Sequence, residues 1–165
     1  MSDVDDELRS YENEIVNAAD TLLMGRKMTD EFVTYWTKVT ESPDTTDYAF
    51  AKKMIDIPKV VFTKTLDESP WSNTVLAKGD LVEEVNRRKN QPGKDILVYG
   101  VGSLVSSLIK KRLIDEYNSF VNPVALGAGM TIFNSLEDKL NLRLVKTRDF
   151  DCKIVFLRYE SRGNR

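Results

Sequence analysis

Two glycines one residue apart, Gly100 and Gly102, stand between an apolar run, Asp95-Ile-Leu-Val-Tyr99, and a helix-like pattern that starts at Ser103 and Leu104. A strand that turns into a helix this way aims the helix's first unpaired N–H groups, with their partial positive charge, at whatever lies in front of them. Glycine allows the tight turn and leaves no Cβ between backbone and ligand. Phosphate is the chemistry that this arrangement suits. The pair lacks the third glycine of the dinucleotide fingerprint, with Val105 at that position, and the same spacing also serves a merely connecting turn.

Two further junctions carry related chemistry. Met24 runs into Gly25-Arg26-Lys27-Met28-Thr29, where a glycine and two cations precede a helix, and the Arg26 guanidinium offers a bidentate fork. Phe62 runs into Thr63-Lys64-Thr65, hydroxyls and a cation after a strand. Each has an ordinary reading, as solvated charges or polar residues after a strand. Taken together, the three suit a ligand with a pyrophosphate and a separate outlying phosphate, the outline of NADPH.

Composition narrows the alternatives. The 165 residues contain no histidine, which removes Ser-His and Cys-His catalysis and the commonest metal ligand, so no metal site is expected. Cys152 is the single cysteine; it excludes an internal disulfide and reads as a buried structural thiol. With 24 basic and 26 acidic residues there is no basic field to hold nucleic acid. No leader and no apolar run of ~20 residues is present, so a cytoplasmic protein without a membrane partner is expected.

The elements that must carry these junctions follow from periodicity. Helices are predicted over Asp3 to Ala19, after Thr29 through Phe32, Val33 and Trp36, over Asp47 to Ile55, from the Asp80 cap with Glu83 to about Lys89, and over Ser103 to about Lys111. Strands are predicted at Thr21 to Met24, Lys59 to Thr63, Thr74 to Ala77, Asp95 to Tyr99 and Glu116 to Val121. A closing antiparallel pair is predicted within Leu140 to Arg148 and Lys153 to Glu160. Strands separated by helices, then strands joined by turns, describe one α/β domain over residues 1–165, its sheet mainly parallel with antiparallel C-terminal strands.

The segments Leu22-Leu-Met-Gly-Arg-Lys27, Phe62-Thr-Lys64, Leu97-Val-Tyr-Gly-Val-Gly-Ser-Leu-Val105, Ile114-Asp-Glu116 and Asn122-Pro-Val-Ala-Leu-Gly-Ala-Gly129, in that order, resemble the dihydrofolate reductase-like family. The resemblance is closest to the C-terminal reductase domain of riboflavin biosynthesis. It implies a three-layer α/β/α fold, NADPH bound in extended form, and hydride transfer to a pterin or to a ribosylaminopyrimidine such as 5-amino-6-(5-phosphoribosylamino)uracil. By matching position, Gly25, Arg26 and Lys27 would lie at the cofactor phosphates, with Arg26 at the ribose phosphate. Thr63 and Lys64 would lie near the adenosine end, and Gly100, Val101, Gly102, Ser103 and Leu104 beside the pyrophosphate and nicotinamide. Pro123, Leu126, Gly127 and Gly129 match a loop that lies close to the site or to a dimer contact in the family, or that is purely structural.

The family's leading strand and Ser-Leu-Asp-Gly-like turn, which line its substrate pocket, have no counterpart before Met1-Ser-Asp-Val. No catalytic acid is assigned; without histidine the proton would come from a carboxylic acid, a tyrosine or water. Tyr35 and Trp36 are candidates for an aromatic wall over a small-molecule substrate, with a core role as the alternative. Related domains form homodimers, and Trp71 with Phe150 or Phe156 would supply apolar surface for one. The competing functions are a non-catalytic nucleotide-binding protein of the same fold and a doubly wound interaction domain with structural glycines.

Overall fold

The computed structural model describes residues 3–99, 102–134 and 136–162, and the chain divides into two compact units, Leu8–Gly100 and Val101–Arg165 with Met1–Glu7. In chain order the elements up to Gly100 are α1 (Asp3–Asn17), β1 (Ala19–Gly25), α2 (Arg26–Val39), α3 (Tyr48–Asp56), β2 (Lys59–Phe62), β3 (Thr74–Ala77), α4 (Leu81–Lys89) and β4 (Asp95–Val98). The strands form a four-stranded parallel sheet in the order β3-β2-β1-β4. β1 is central because its apolar run, Leu22-Leu-Met24, is buried throughout, as a strand covered on both faces must be.

Leu22, Met24, Ile57 and Val61 form one cluster with Ala19. Val16, Trp36, Phe50, Ala51 and Met54 form another, and Phe32 and Leu97 pack against both. The ends of the elements are fixed by polar contacts. The Asp80 carboxylate accepts from the backbone N–H groups of Val82 and Glu83 at 3.0 and 3.1 Å, capping α4. Asp20, at the register shift between Ala19 and Thr21, accepts the Lys94 N–H at 2.8 Å and so ties the turn before β4 to the start of β1. That bond is the main reason its carboxyl pKa lies below the ordinary value. Lys59 is buried at the start of β2, and its ammonium donates to the carbonyls of Ile55 and Ile57 at the end of α3 at 2.8 and 3.0 Å. Burial lowers its pKa.

The second unit holds α5 (Ser103–Lys110), β5 (Glu116–Val121), β6 (Leu142–Asp149) and β7 (Val155–Ser161). Its strands form an antiparallel sheet in the order β5-β7-β6. The α/β class is as expected. The antiparallel strands form a sheet of their own rather than an edge of the parallel one, because β7 uses both its sides on β5 and β6. Phe150 and Phe156 are buried, and Phe156 packs on Phe120 with ring centroids 5.0 Å apart. Their apolar area is therefore interior, and the expectation that they furnish an exposed dimer surface is corrected. Cys152 is half-buried in the turn before β7, not fully buried as expected, because it lies in that turn and not within a strand. No helix among the described residues is long and apolar enough to cross a membrane.

Leu22→Ala, which empties a fully buried position of β1, is expected to cost about 2–5 kcal/mol. Asp80→Ala, which removes only a cap, is expected to cost about 1 kcal/mol. Urea denaturation measures both, and equal losses would contradict the placement of the core.

Candidate functional site

Parallel pairing brings the carboxyl ends of the strands to one end of the sheet. The registers set Gly25 beside Phe62 and Phe62 beside Ala77, while Leu23 lies beside Val98. Two of the three junctions singled out in sequence, after β1 and β2, therefore open on the same end, and β4 delivers the chain to it at Tyr99. The chain proceeds from β1 to β2 to β3 on one side and then crosses to β4 on the other, so the order reverses between β1 and β4. Open α/β sheets bind ligands in the crevice at such a reversal.

Gly25 is the extended N-cap of α2 and makes no side-chain capping bond. Its carbonyl accepts the buried Thr29 hydroxyl at 2.9 Å, so Thr29 locks the first turn from inside where the sequence suggests a cap. Arg26 and Lys27 project from the uncapped turn, exposed and without an ion-pair partner among the described residues. Cations at a helix N-terminus oppose the helix dipole, which an anion lying between them would reverse. After β2, the Thr63 hydroxyl accepts the N–H groups of Thr65 and Leu66 at 3.2 and 3.3 Å. Thr63 thus shapes the turn and leaves Lys64 exposed beside it.

Gly100 and Val101 lie outside the described residues. Gly102, in the second unit, has φ 137° and ψ −175° as the N-cap of α5, a conformation essentially confined to glycine. Ser103 is exposed and Leu104 half-buried on the first turn of that helix. Of the two aromatic candidates, Trp36 lies in the core with its ring 5.0 Å from that of Phe50, while Tyr35 is 58% exposed and stacks edge-on over Trp36 at 4.8 Å.

A polar cluster beside Tyr99 is absent from the sequence reading. The Arg9 guanidinium lies 4.5 Å over the Phe50 ring and 6.0 Å from that of Trp36. Its Nε donates to Asp47 and its Nη1 to Glu12, both at 2.7 Å. Glu12 is half-buried; burial raises its pKa, the Arg9 charge opposes this and Asp47 adds to it. The Tyr99 ring sits 6.1 Å from Phe32 and 6.4 Å from Phe50, and its phenol pKa is raised first by burial and then by the charge of Glu12. The i, i+3 spacing of Arg9 and Glu12 was the only trace of this cluster in the sequence.

Comparison with known proteins places the chain in a family and agrees with its fold. The chain belongs to the RibD C-terminal domain family, which it matches over residues 2–156. It is 35% identical over 150 residues to the uncharacterized protein YyaP of Bacillus subtilis, covering 91% of this chain and 78% of that one. To the uncharacterized protein YwjB of the same organism it is 29% identical over 138 residues, covering 84% and 72%. Among solved structures it resembles a putative riboflavin biosynthesis protein from Shewanella sp. PV-4, with a TM-score of 0.67 at 24% identity over 91% of this chain and 78% of that one. It also resembles a Thermotoga maritima diaminohydroxyphosphoribosylaminopyrimidine deaminase/5-amino-6-(5-phosphoribosylamino)uracil reductase, with a TM-score of 0.64 at 16% identity over 94% of this chain and 49% of that one.

Because Gly102 occupies a glycine-only conformation, Gly102→Ala is expected to destabilise the protein by about 1–3 kcal/mol. Ser103→Ala, on the exposed first turn, is expected to change stability by less than about 0.5 kcal/mol. Thermal denaturation compares them, and indistinguishable midpoints would refute the assigned backbone.

Proposed function

We propose that the chain is an NADPH-dependent reductase that acts on a small C=N- or pterin-type substrate, with 5-amino-6-(5-phosphoribosylamino)uracil the first to test. The observation that carries the reading is the pair Arg26 and Lys27, unpaired among the described residues, at the uncapped start of α2, at the carboxyl end of β1 beside the point where strand order reverses. That donor set fits a phosphate-rich cofactor: free backbone N–H groups, a guanidinium suited to a phosphate dianion, and Lys64 on the neighbouring turn. Membership of the RibD C-terminal domain family supports the same reading.

When bound, the reduced nicotinamide supplies a hydride. The remaining tasks fall to the protein. Arg26 and Lys27 anchor the phosphates, Arg26 taking the outlying ribose phosphate that distinguishes NADPH from NADH. Tyr99, just past the end of β4, borders the nicotinamide half in this reading. The exposed faces of Tyr35 and Tyr99 offer apolar area for a planar ring.

Titration of protein fluorescence with NADPH and with NADH tests this. The wild-type protein is expected to prefer NADPH, and Arg26→Ala to weaken NADPH by about 10- to 100-fold with little change for NADH, the scale of one charge-assisted contact. Equal losses for both cofactors would refute the role of Arg26, and absence of NADPH binding at millimolar concentration would refute the reading as a whole.

A further inference from the structure

Hydride addition to a C=N bond leaves the nitrogen needing a proton, and the chain has no histidine to give one. Resting on the reductase reading above, we infer that Glu12, held by Arg9 beside Tyr99, is the acid that protonates the substrate nitrogen.

The geometry is that of a carboxyl group kept in place and kept partly dry. Glu12 projects from α1 with its side chain 22% exposed, open enough to meet a substrate. Arg9 fixes one of its oxygens at 2.7 Å, and Arg9 is itself fixed by the Phe50 face and by Asp47. Phe50 joins this cluster to Tyr99, a residue 42% exposed just past the end of β4, where the crevice opens. The charged and titratable groups that act on Glu12 are Arg9 on its own helix and Asp47 ahead of α3; Glu12 in turn acts on Tyr99 after β4, as does Tyr35 of α2. Burial and Asp47 favour the protonated carboxyl, while Arg9 stabilises the carboxylate left behind. An acid that must both hold and release a proton needs this opposition.

The step balances. A ribosylamino group opens to a C=N bond; as its carbon accepts the hydride, the π pair moves to nitrogen, which takes the Glu12 proton. The substrate is reduced by two electrons to an amine, the nicotinamide is oxidised, and the Glu12 carboxylate recovers its proton from water.

Two measurements test the assignment. The first needs no turnover: carbon NMR of the side-chain carboxyls of the wild-type protein is expected to show Glu12 titrating above the ordinary glutamate value of about 4.3, and Arg9→Met is expected to raise it further. A Glu12 that titrates at the ordinary value overturns the assignment. The second follows NADPH oxidation with 5-amino-6-(5-phosphoribosylamino)uracil across pH. Wild-type rate should fall as pH rises through the Glu12 pKa. Glu12→Gln should keep NADPH affinity within about twofold, lose about 100-fold or more in rate together with that falling limb, and Glu12→Asp should recover part of both. A Glu12→Gln protein with wild-type rate or an unchanged limb overturns the donor role, as does a wild-type protein that binds NADPH and does not oxidise it. Absence of NADPH binding instead overturns the cofactor reading, and the donor role falls with it.

Discussion

The parallel pairing of β1 on both of its sides is the constraint on which the candidate site depends. A strand with parallel neighbours left and right can satisfy its backbone groups only if each crossover returns over a face of the sheet, which buries both faces and sends every chain out at the same end. Leu22, Leu23 and Met24 are apolar for that reason. Gly25, Thr63 and Tyr99 share one end of the sheet for the same reason, and not because any local motif brings them together.

The elements with strong periodicity or a chemical stop were legible in the sequence. Asp80 with Glu83 announces the start of α4, and β-branched and aromatic residues announce Lys59-Val-Val-Phe62 as a strand. The division of the strands between two sheets was not, since alternation in Leu142–Asp149 and Val155–Ser161 shows that these strands pair but not whether they extend another sheet. Trp36 illustrates a different limit. Its spacing on α2 is shared with Phe32 and Val33, and only the packing shows that its ring lies under Tyr35.

The polar groups with distant partners were the least visible. Arg9 gives no sequence signal of its role because its partners Asp47 and Phe50 lie far off in the chain, past β1 and α2. Lys59 reads as an odd cation in an apolar strand; in the structure it is the closing group of α3, its positive charge set against the helix's free carbonyls. Both are side chains whose meaning is tertiary. A pattern of apolar residues does not encode it.

The bond from the Lys94 N–H to Asp20 spans 74 positions of sequence, whereas β1, β2 and β3 follow one another along the chain. Loop-closure entropy therefore sets the β1–β4 junction apart as the least local pairing of its sheet. The crevice exists only once that pairing is made. A molecule that occupied it would bind only the assembled sheet, and so would draw the folding equilibrium toward the complete unit by mass action. A ligand seated at the carboxyl ends of the strands would therefore be coupled to a pairing whose closing bond, Lys94 to Asp20, lies at their opposite, amino ends.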